Sequence, residues 1–108
     1  MRILIIEDDA ALSKTLSETL TDQGYQNDIA ENLSDAKYYL DIRNYDLVLL
    51  AWPIANEKSM DIITTIKNAG PKSSVIVLSD HDDKDSEITA LRSGADDFIK
   101  KPIDYDIL

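Results

Sequence analysis

The sequence predicts an α/β protein built on a doubly wound parallel sheet. Short apolar runs alternate along the chain with amphipathic helical segments, which is the pattern of successive βαβ units. Three of the helical segments run into a glycine, at Gly24, Gly70 and Gly94, where a helix commonly stops. Crossovers between parallel strands are right-handed, so we expect helices on both faces of the sheet.

Three of the five predicted strands are short runs dominated by apolar residues. The first, "RILII", is continuously apolar after Arg2, as is typical of a strand covered on both faces. The second, "YQNDIA", is the weakest, and the fifth, "DDFIK", is the shortest. The predicted strands are residues 2–6, 25–30, 46–51, 74–79 and 96–100.

The helical segments show apolar residues at helical spacing. The second begins with Asn32 and has Asp35 three residues later, which is close to a capping box. The predicted helices are residues 9–24, 32–43, 57–70 and 83–94, and residues 102–108 look like the first turn of one more, truncated helix. The side chains expected to face the sheet are Leu12, Leu16 and Leu20; Leu33, Ala36 and Leu40; Ile62, Ile63 and Ile66; and Ile88 and Leu91.

Composition excludes several classes of function. The 108 residues contain no cysteine, which excludes disulfides and cysteine-based sites. No apolar run approaches the ~20 residues that span a membrane, so we expect a cytoplasmic protein. The net charge is −10, from 11 basic and 21 acidic residues, and this surface should repel nucleic acid and anionic lipid.

The working crevice of a doubly wound sheet lies at the carboxyl ends of its strands. Clustered carboxylates there, such as Glu7 and Asp8, are the ligands that Mg²⁺ prefers. Lys101 could grip a phosphoryl oxygen, and Ser79 could hydrogen-bond the same group. Asp9 has two interpretations, as part of this acidic cluster or as the N-cap of the first helix. The edge also includes Ala51, Trp52 and Pro53 after strand three, Asp80 after strand four and Lys100 after strand five.

Four motifs give the chain a family resemblance. They are "ILIIEDD" at 3–9, "YDLVLLAW" at 45–52, "VIVLSD" at 75–80 and "GADDFIKKP" at 94–102. In these motifs the sequence resembles the receiver domain of two-component response regulators of the OmpR/PhoB type. The resemblance implies a flavodoxin-like (βα)5 fold with strand order 2-1-3-4-5. The chain looks most like atypical orphan regulators of the CosR and HsrA kind, which act without conventional phosphorylation.

The resemblance also implies roles for individual residues, with one conspicuous loss. Ala51 stands at the position of the phosphoacceptor aspartate, and a methyl group cannot form an acyl phosphate. Neighbouring positions depart from the family as well, at Ala55, Asn56, Ser59 and Asp80, which favours natural loss of the site over a single engineered substitution. The implied roles are a metal-binding acidic pair for Glu7 and Asp8, a backbone metal ligand for Pro53, switch residues for Ser79 and Phe98, and a phosphate-binding lysine for Lys101, followed by Pro102.

We therefore expect a non-enzymatic regulatory and dimerisation domain that works independently of phosphorylation. Residues 1–108 would be the N-terminal receiver of a transcription regulator that contacts promoter DNA only through a winged-helix domain absent from this chain. We expect no cofactor, weak Mg²⁺ binding or none, and no membrane partner; kinase docking stays open. By resemblance the homodimer forms through the fourth helix, fifth strand and fifth helix, with Glu87, Ile88, Leu91, Arg92, Asp96, Asp97 and Lys100 on that surface.

Alternatives remain open at this stage. The chain could be a stand-alone adaptor that binds a kinase or other protein as a monomer, or a residual enzyme phosphorylated at an unusual residue. Ser79 could simply satisfy a strand-end backbone group, and Phe98 could be a packing residue. Trp52 could be buried over the crevice or partly exposed. If Lys101 pairs with Glu7 and Asp8, it would hold the pocket in one state without metal.

Overall fold

The strand order agrees with the prediction. The computed structural model describes residues 1–52, 61–70, 72–79 and 84–101. Five parallel strands form one sheet in the order β2-β1-β3-β4-β5. The strands are β1 (Arg2–Ile6), β2 (Gln26–Ala30), β3 (Leu47–Trp52), β4 (Ser74–Ser79) and β5 (Asp97–Lys100), and the helices are α1 (Ala10–Asp22), α2 (Leu33–Ile42), α3 (Asp61–Ala69) and α4 (Lys84–Arg92).

Helices cover both faces of the sheet, as a doubly wound fold requires. On one face, α1 places Leu16 and Leu20 against Ile3 and Ile5 of β1. The other face is covered by α2, α3 and α4. Alternate residues of β1 therefore enter different clusters, and its continuous apolar run is explained by burial on both sides. The second cluster includes Leu4, Ile6, Ala36, Ile62, Ile63, Ile66 and Ala90.

Both predicted helix starts at polar residues are confirmed. The Asp9 carboxylate accepts the backbone N–H groups of Ala11 and Leu12, at 3.0 and 3.2 Å. Asn32 Oδ1 accepts the N–H of Asp35 at 2.8 Å. These bonds satisfy N–H groups that have no partner within the helix. Asp9 is thus the N-cap of α1, which supports the second of its two interpretations.

The prediction that Ile88 and Leu91 face the sheet is wrong. Their exposed fractions are 46% and 44%, and Ala90 is the residue of α4 that is fully buried. The helix is rotated so that this small side chain contacts the sheet, and the two large apolar residues lie toward solvent. Leu12 and Leu40 are only partly buried. The predicted helical residues 57–60 and 102–108 lie outside the described part of the chain.

Candidate functional site

The candidate site lies where β1, β3, β4 and β5 end. In the sheet register Trp52 is opposite Ser79, and Ser79 is opposite Lys100. Glu7 follows β1 directly, and Lys101 follows β5. The ends of these strands therefore meet at one edge of the sheet, as the sequence predicts.

Glu7 is a buried carboxylate at this edge, with 2% of its surface exposed. Its Oε2 accepts a hydrogen bond from Nζ of Lys101 at 2.9 Å. Its Oε1 accepts the backbone N–H of Asp9 at 3.1 Å. Both oxygens of the carboxylate are therefore engaged, one by a cation and the other by the turn that leads into α1.

Burial governs the protonation of Glu7. Desolvation raises the pKa of its carboxyl above the ordinary value of 4.5. The hydrogen bond and the charge of Lys101 and the N–H of Asp9 oppose this rise, whereas the neighbouring Asp8 adds to it. The net effect is a raised pKa. When Glu7 is ionised, its buried negative charge is compensated by Lys101.

Lys101 is positioned through its backbone as well as its side chain. Its N–H donates to the carbonyl of Ser79 at 2.7 Å, which joins the chain after β5 to the end of β4. The side chain is 15% exposed. Ser79 itself is fully buried. The lysine is therefore held between two strands, with its ammonium directed to Glu7.

Ala51 and Trp52 close the end of β3. Ala51 is 1% exposed and lies opposite Leu78 in β4. Trp52, whose exposure the sequence did not decide, is buried and belongs to the core cluster of the α2, α3 and α4 face. The side of the edge contributed by β3 is thus a methyl group and an indole, neither of which offers a nucleophilic oxygen.

A family model for the response regulator receiver domain matches residues 3–108. The chain belongs to this family. It is 31% identical over 108 residues to the transcriptional regulatory protein DltR of Streptococcus agalactiae, covering 100% of this chain and 48% of DltR. It is 32% identical over 102 residues to the virulence transcriptional regulatory protein PhoP of Salmonella typhimurium, covering 94% of this chain and 46% of PhoP. The receiver domain therefore spans about half the length of these curated relatives.

One similar solved structure is an orphan response regulator, HP1043 of Helicobacter pylori. It superimposes with a TM-score of 0.85 at 36% identity, covering 95% of this chain and 84% of that one. The two relatives carry the names of transcription regulators. None of the described helices is long and apolar enough to cross a membrane.

Of the other predicted metal ligands the structure describes Asp8, whose side chain lies beside that of Glu7. Asp8 is exposed. Within residues 1–52, 61–70, 72–79 and 84–101, no three carboxylate or imidazole side chains are grouped so as to hold a metal ion. Pro53, whose carbonyl was a predicted ligand, lies outside the described residues, as do Ala55, Asn56, Ser59, Asp80 and Pro102.

Phe98 is partly buried on β5 and packs against the same core cluster as Trp52. Its backbone N–H donates to Oδ1 of Asp97 at 2.8 Å. The packing of the Phe98 ring against this cluster, which also contains Ala51, supports the packing interpretation of Phe98. The sequence alone left both interpretations open.

One residue of the predicted dimer surface, Asp96, makes contacts within the domain although it is exposed. Asp96 accepts hydrogen bonds from Lys67 of α3 at 2.7 Å and from the N–H of Val75 at 2.8 Å. The hydrogen bond from Lys67 lowers the pKa of Asp96, and the Val75 N–H adds to the effect. No local pattern in the sequence marks Lys67 as the partner of Asp96. All seven residues of the predicted surface are exposed: Glu87, Ile88, Leu91, Arg92, Asp96, Asp97 and Lys100.

Proposed function

We propose that this receiver domain is the regulatory and dimerisation module of a DNA-binding transcription regulator that works without phosphorylation. The names of DltR and PhoP support the transcriptional assignment. Since the chain spans about half of each relative, a DNA-binding domain would lie outside residues 1–108. The net charge of −10 supports this division, because the receiver domain itself should repel DNA.

The observation that carries the proposal is Ala51 at the end of β3. Phosphoryl transfer to a protein needs a nucleophilic atom in line with the transferred group. Ala51 is a buried methyl group at the edge where Glu7 and Lys101 meet, and its neighbour Trp52 is a buried indole. Without an acceptor at this position, the domain is not an enzyme that phosphorylates itself.

The pair of Glu7 and Lys101 would replace the phosphate-dependent switch with a fixed state. Breaking a buried ion pair from one side typically costs roughly 3–5 kcal/mol, because a charge is left uncompensated. With Glu7 only 2% exposed, Lys101 is strongly favoured in its present position. The balance between inactive and active forms would then be set by the sequence, by protein concentration or by another ligand.

Mg²⁺ does not fit the residues of this edge well. A cation would have to compete with the ammonium of Lys101 for Glu7, and Ala51 supplies no carboxylate. Asp8 is left as an exposed ligand, with the backbone of Pro53 as a possible addition. Mg²⁺ requires near-octahedral oxygen coordination, so we propose weak binding or none.

The dimer would form through the exposed face of α4 and β5. Ile88 and Leu91 place apolar surface at its centre, and Glu87, Arg92, Asp97 and Lys100 surround it with both signs of charge. An apolar centre within a charged rim is the usual composition of an interface. In a two-fold dimer the acidic groups of one copy can meet the basic groups of the other.

Intact-mass spectrometry tests the chemical part of the proposal. The protein is incubated with acetyl phosphate and Mg²⁺ beside the variant Ala51→Asp, which restores a carboxylate at the same place. We expect no mass increase for the natural sequence. A gain of one phosphoryl group by the natural protein would show an alternative acceptor and would refute the proposal. A gain by Ala51→Asp alone would support the assignment of this position.

A further inference from the structure

A second polar cleft lies far from Ala51, at the β2 edge of the sheet. Its volume is about 500 Å³. Arg2, at the opposite end of β1 from Glu7, lines it together with Arg43, which caps the C-terminus of α2. The cleft is also lined by Ser17, Thr21, Asn27 and Asp28. Arg2 and Gln26 begin β1 and β2, so this cleft lies at the amino ends of these strands and is separate from the crevice at the carboxyl ends.

Two guanidinium groups converge on one carboxylate in this cleft. Nη1 of Arg43 lies 3.5 Å and Nη1 of Arg2 lies 3.8 Å from Oδ2 of Asp28. The hydroxyl of Tyr45 donates to the same oxygen at 2.8 Å. The Tyr45 hydroxyl is therefore closer to Asp28 Oδ2 than either arginine is, and both arginines lie beyond the usual hydrogen-bond length from this oxygen.

Most N–H donors of the two guanidinium groups can therefore bind a further group. Arg2 donates from Nη2 to Gln26 at 2.9 Å, and its backbone N–H donates to Asp46 at 2.8 Å. Among the described residues the guanidinium of Arg43 makes its ion pair with Asp28 and no hydrogen bond. The side chains of Arg2 and Arg43 are 33% and 43% exposed, so a dissolved molecule can reach them.

The charge in the cleft is opposite to that of the molecule. The chain carries a net −10, whereas the lining of the cleft has two guanidinium groups and one carboxylate. Ser17 donates to Asn27, and the amide of Asn27 donates to Thr21 at 3.1 Å, so the neutral lining is already ordered. A local positive excess in an ordered polar cleft favours a small anion over a cation.

We propose that this cleft binds a compact oxyanion, the phosphate or carboxylate group of a small molecule, between the guanidinium groups of Arg2 and Arg43. A guanidinium presents planar paired donors that match the oxygens of these groups. With the oxyanion bound, its charge and that of Asp28 would balance the two positive charges of Arg2 and Arg43. The site would take its ligand without using Ala51, so the inference does not depend on the assignment of the phosphoacceptor position.

Titration of the ¹⁵N-labelled protein tests the site. Sodium phosphate, sodium succinate and sodium chloride are compared at constant ionic strength, and the amide signals of Asn27, Asp28 and Arg43 are followed. We expect saturable shifts at these residues with a dissociation constant below about 10 mM for one or both oxyanions and no saturation with chloride. Saturation by phosphate alone, or by succinate alone, identifies the source of the oxyanion.

Matched variants separate the cleft from general electrostatics. Arg43→Gln should weaken binding by about tenfold, because a charged hydrogen-bonding partner is lost. Lys14→Gln removes the same charge from an exposed position on α1 and should leave binding unchanged. Arg43→Lys keeps the charge without the planar donors, and its affinity should lie between those of the natural protein and Arg43→Gln. If Arg43→Gln fails to fold, the affinity of Arg43→Lys relative to the natural protein tests the site. Equal losses in Arg43→Gln and Lys14→Gln, or shifts that never saturate, would overturn the proposal.

Discussion

Nζ of Lys101 lies 2.9 Å from Oε2 of Glu7, which joins the residue after β5 to the residue after β1 across the edge of the sheet. In this receiver domain the contact neutralises a carboxylate that is almost completely buried. At the end of β3 the same edge has the methyl group of Ala51 and the indole of Trp52.

Removing Lys101 should destabilise the domain. In Lys101→Met the buried carboxylate of Glu7 loses its cation, and we expect a loss of about 3 kcal/mol in the free energy of unfolding at pH 7. Urea denaturation measures it. Lys14→Met is the control, because Lys14 makes a 4.0 Å exposed pair with Glu18, worth less than about 1 kcal/mol. Equal effects of both substitutions would show that the pair of Lys101 and Glu7 stabilises the domain no more than an exposed pair does.

The raised pKa of Glu7 predicts a pH dependence of known sign. A carboxyl whose folded-state pKa lies above its unfolded value of 4.5 favours folding when protonated, and this contribution is lost as pH rises through the folded-state pKa. Glu7→Gln stays neutral throughout. We therefore expect the stability of Glu7→Gln relative to the natural protein to increase from about pH 4 upward and then level off. A relative stability that falls with pH would contradict the direction of the shift.

The sequence predicts best those features that depend on residues close together in the chain. The apolar runs of β1 and β3 and the caps at Asp9 and Asn32 are local patterns, and all four are confirmed. The meeting of Glu7 and Lys101 followed from the rule that parallel strands end at one edge, although their separation in the chain is 94 residues.

What the sequence missed depends on how elements pack against one another. The rotation of α4 exposes Ile88 and Leu91, because the sheet accepts Ala90 in their place. The contacts of Lys67 with Asp96 and of Arg43 with Asp28 join distant parts of the chain, and no local pattern marks them. Trp52 was undecided for the same reason, since its burial depends on neighbours from other elements.

The contact between Lys67 and Asp96 should make a modest contribution to stability. Asp96→Asn removes the charge that Lys67 and the Val75 N–H hold, and we expect a loss of about 1 kcal/mol at neutral pH, discounted because Asp96 is 50% exposed. A carboxyl with a lowered pKa stabilises above its unfolded pKa, so the difference should shrink as pH falls through the folded-state value. Asp41→Asn, at an exposed position of α2, should change stability by less than about 0.5 kcal/mol. A loss that persists undiminished in acid would contradict the electrostatic account.

The proposed dimer face can be tested with one apolar residue. Leu91→Asp places a charge at the centre of the α4 and β5 surface, and we expect the dimer dissociation constant to rise by at least about tenfold. Ile42→Asp is the matched control, because Ile42 is also an exposed apolar residue, at 52%, but lies on α2. Analytical ultracentrifugation over a concentration series gives both constants. A larger effect of Ile42→Asp would move the interface to α2.

The central claim is that assembly of this receiver domain does not depend on phosphorylation, and sedimentation velocity with and without a phosphodonor tests it most directly. The protein is run at micromolar concentration alone and then with acetyl phosphate and Mg²⁺. We predict the same dimeric distribution in both runs, because Ala51 cannot be modified and Lys101 is already paired with Glu7. A monomer that becomes a dimer only with the phosphodonor would contradict the account.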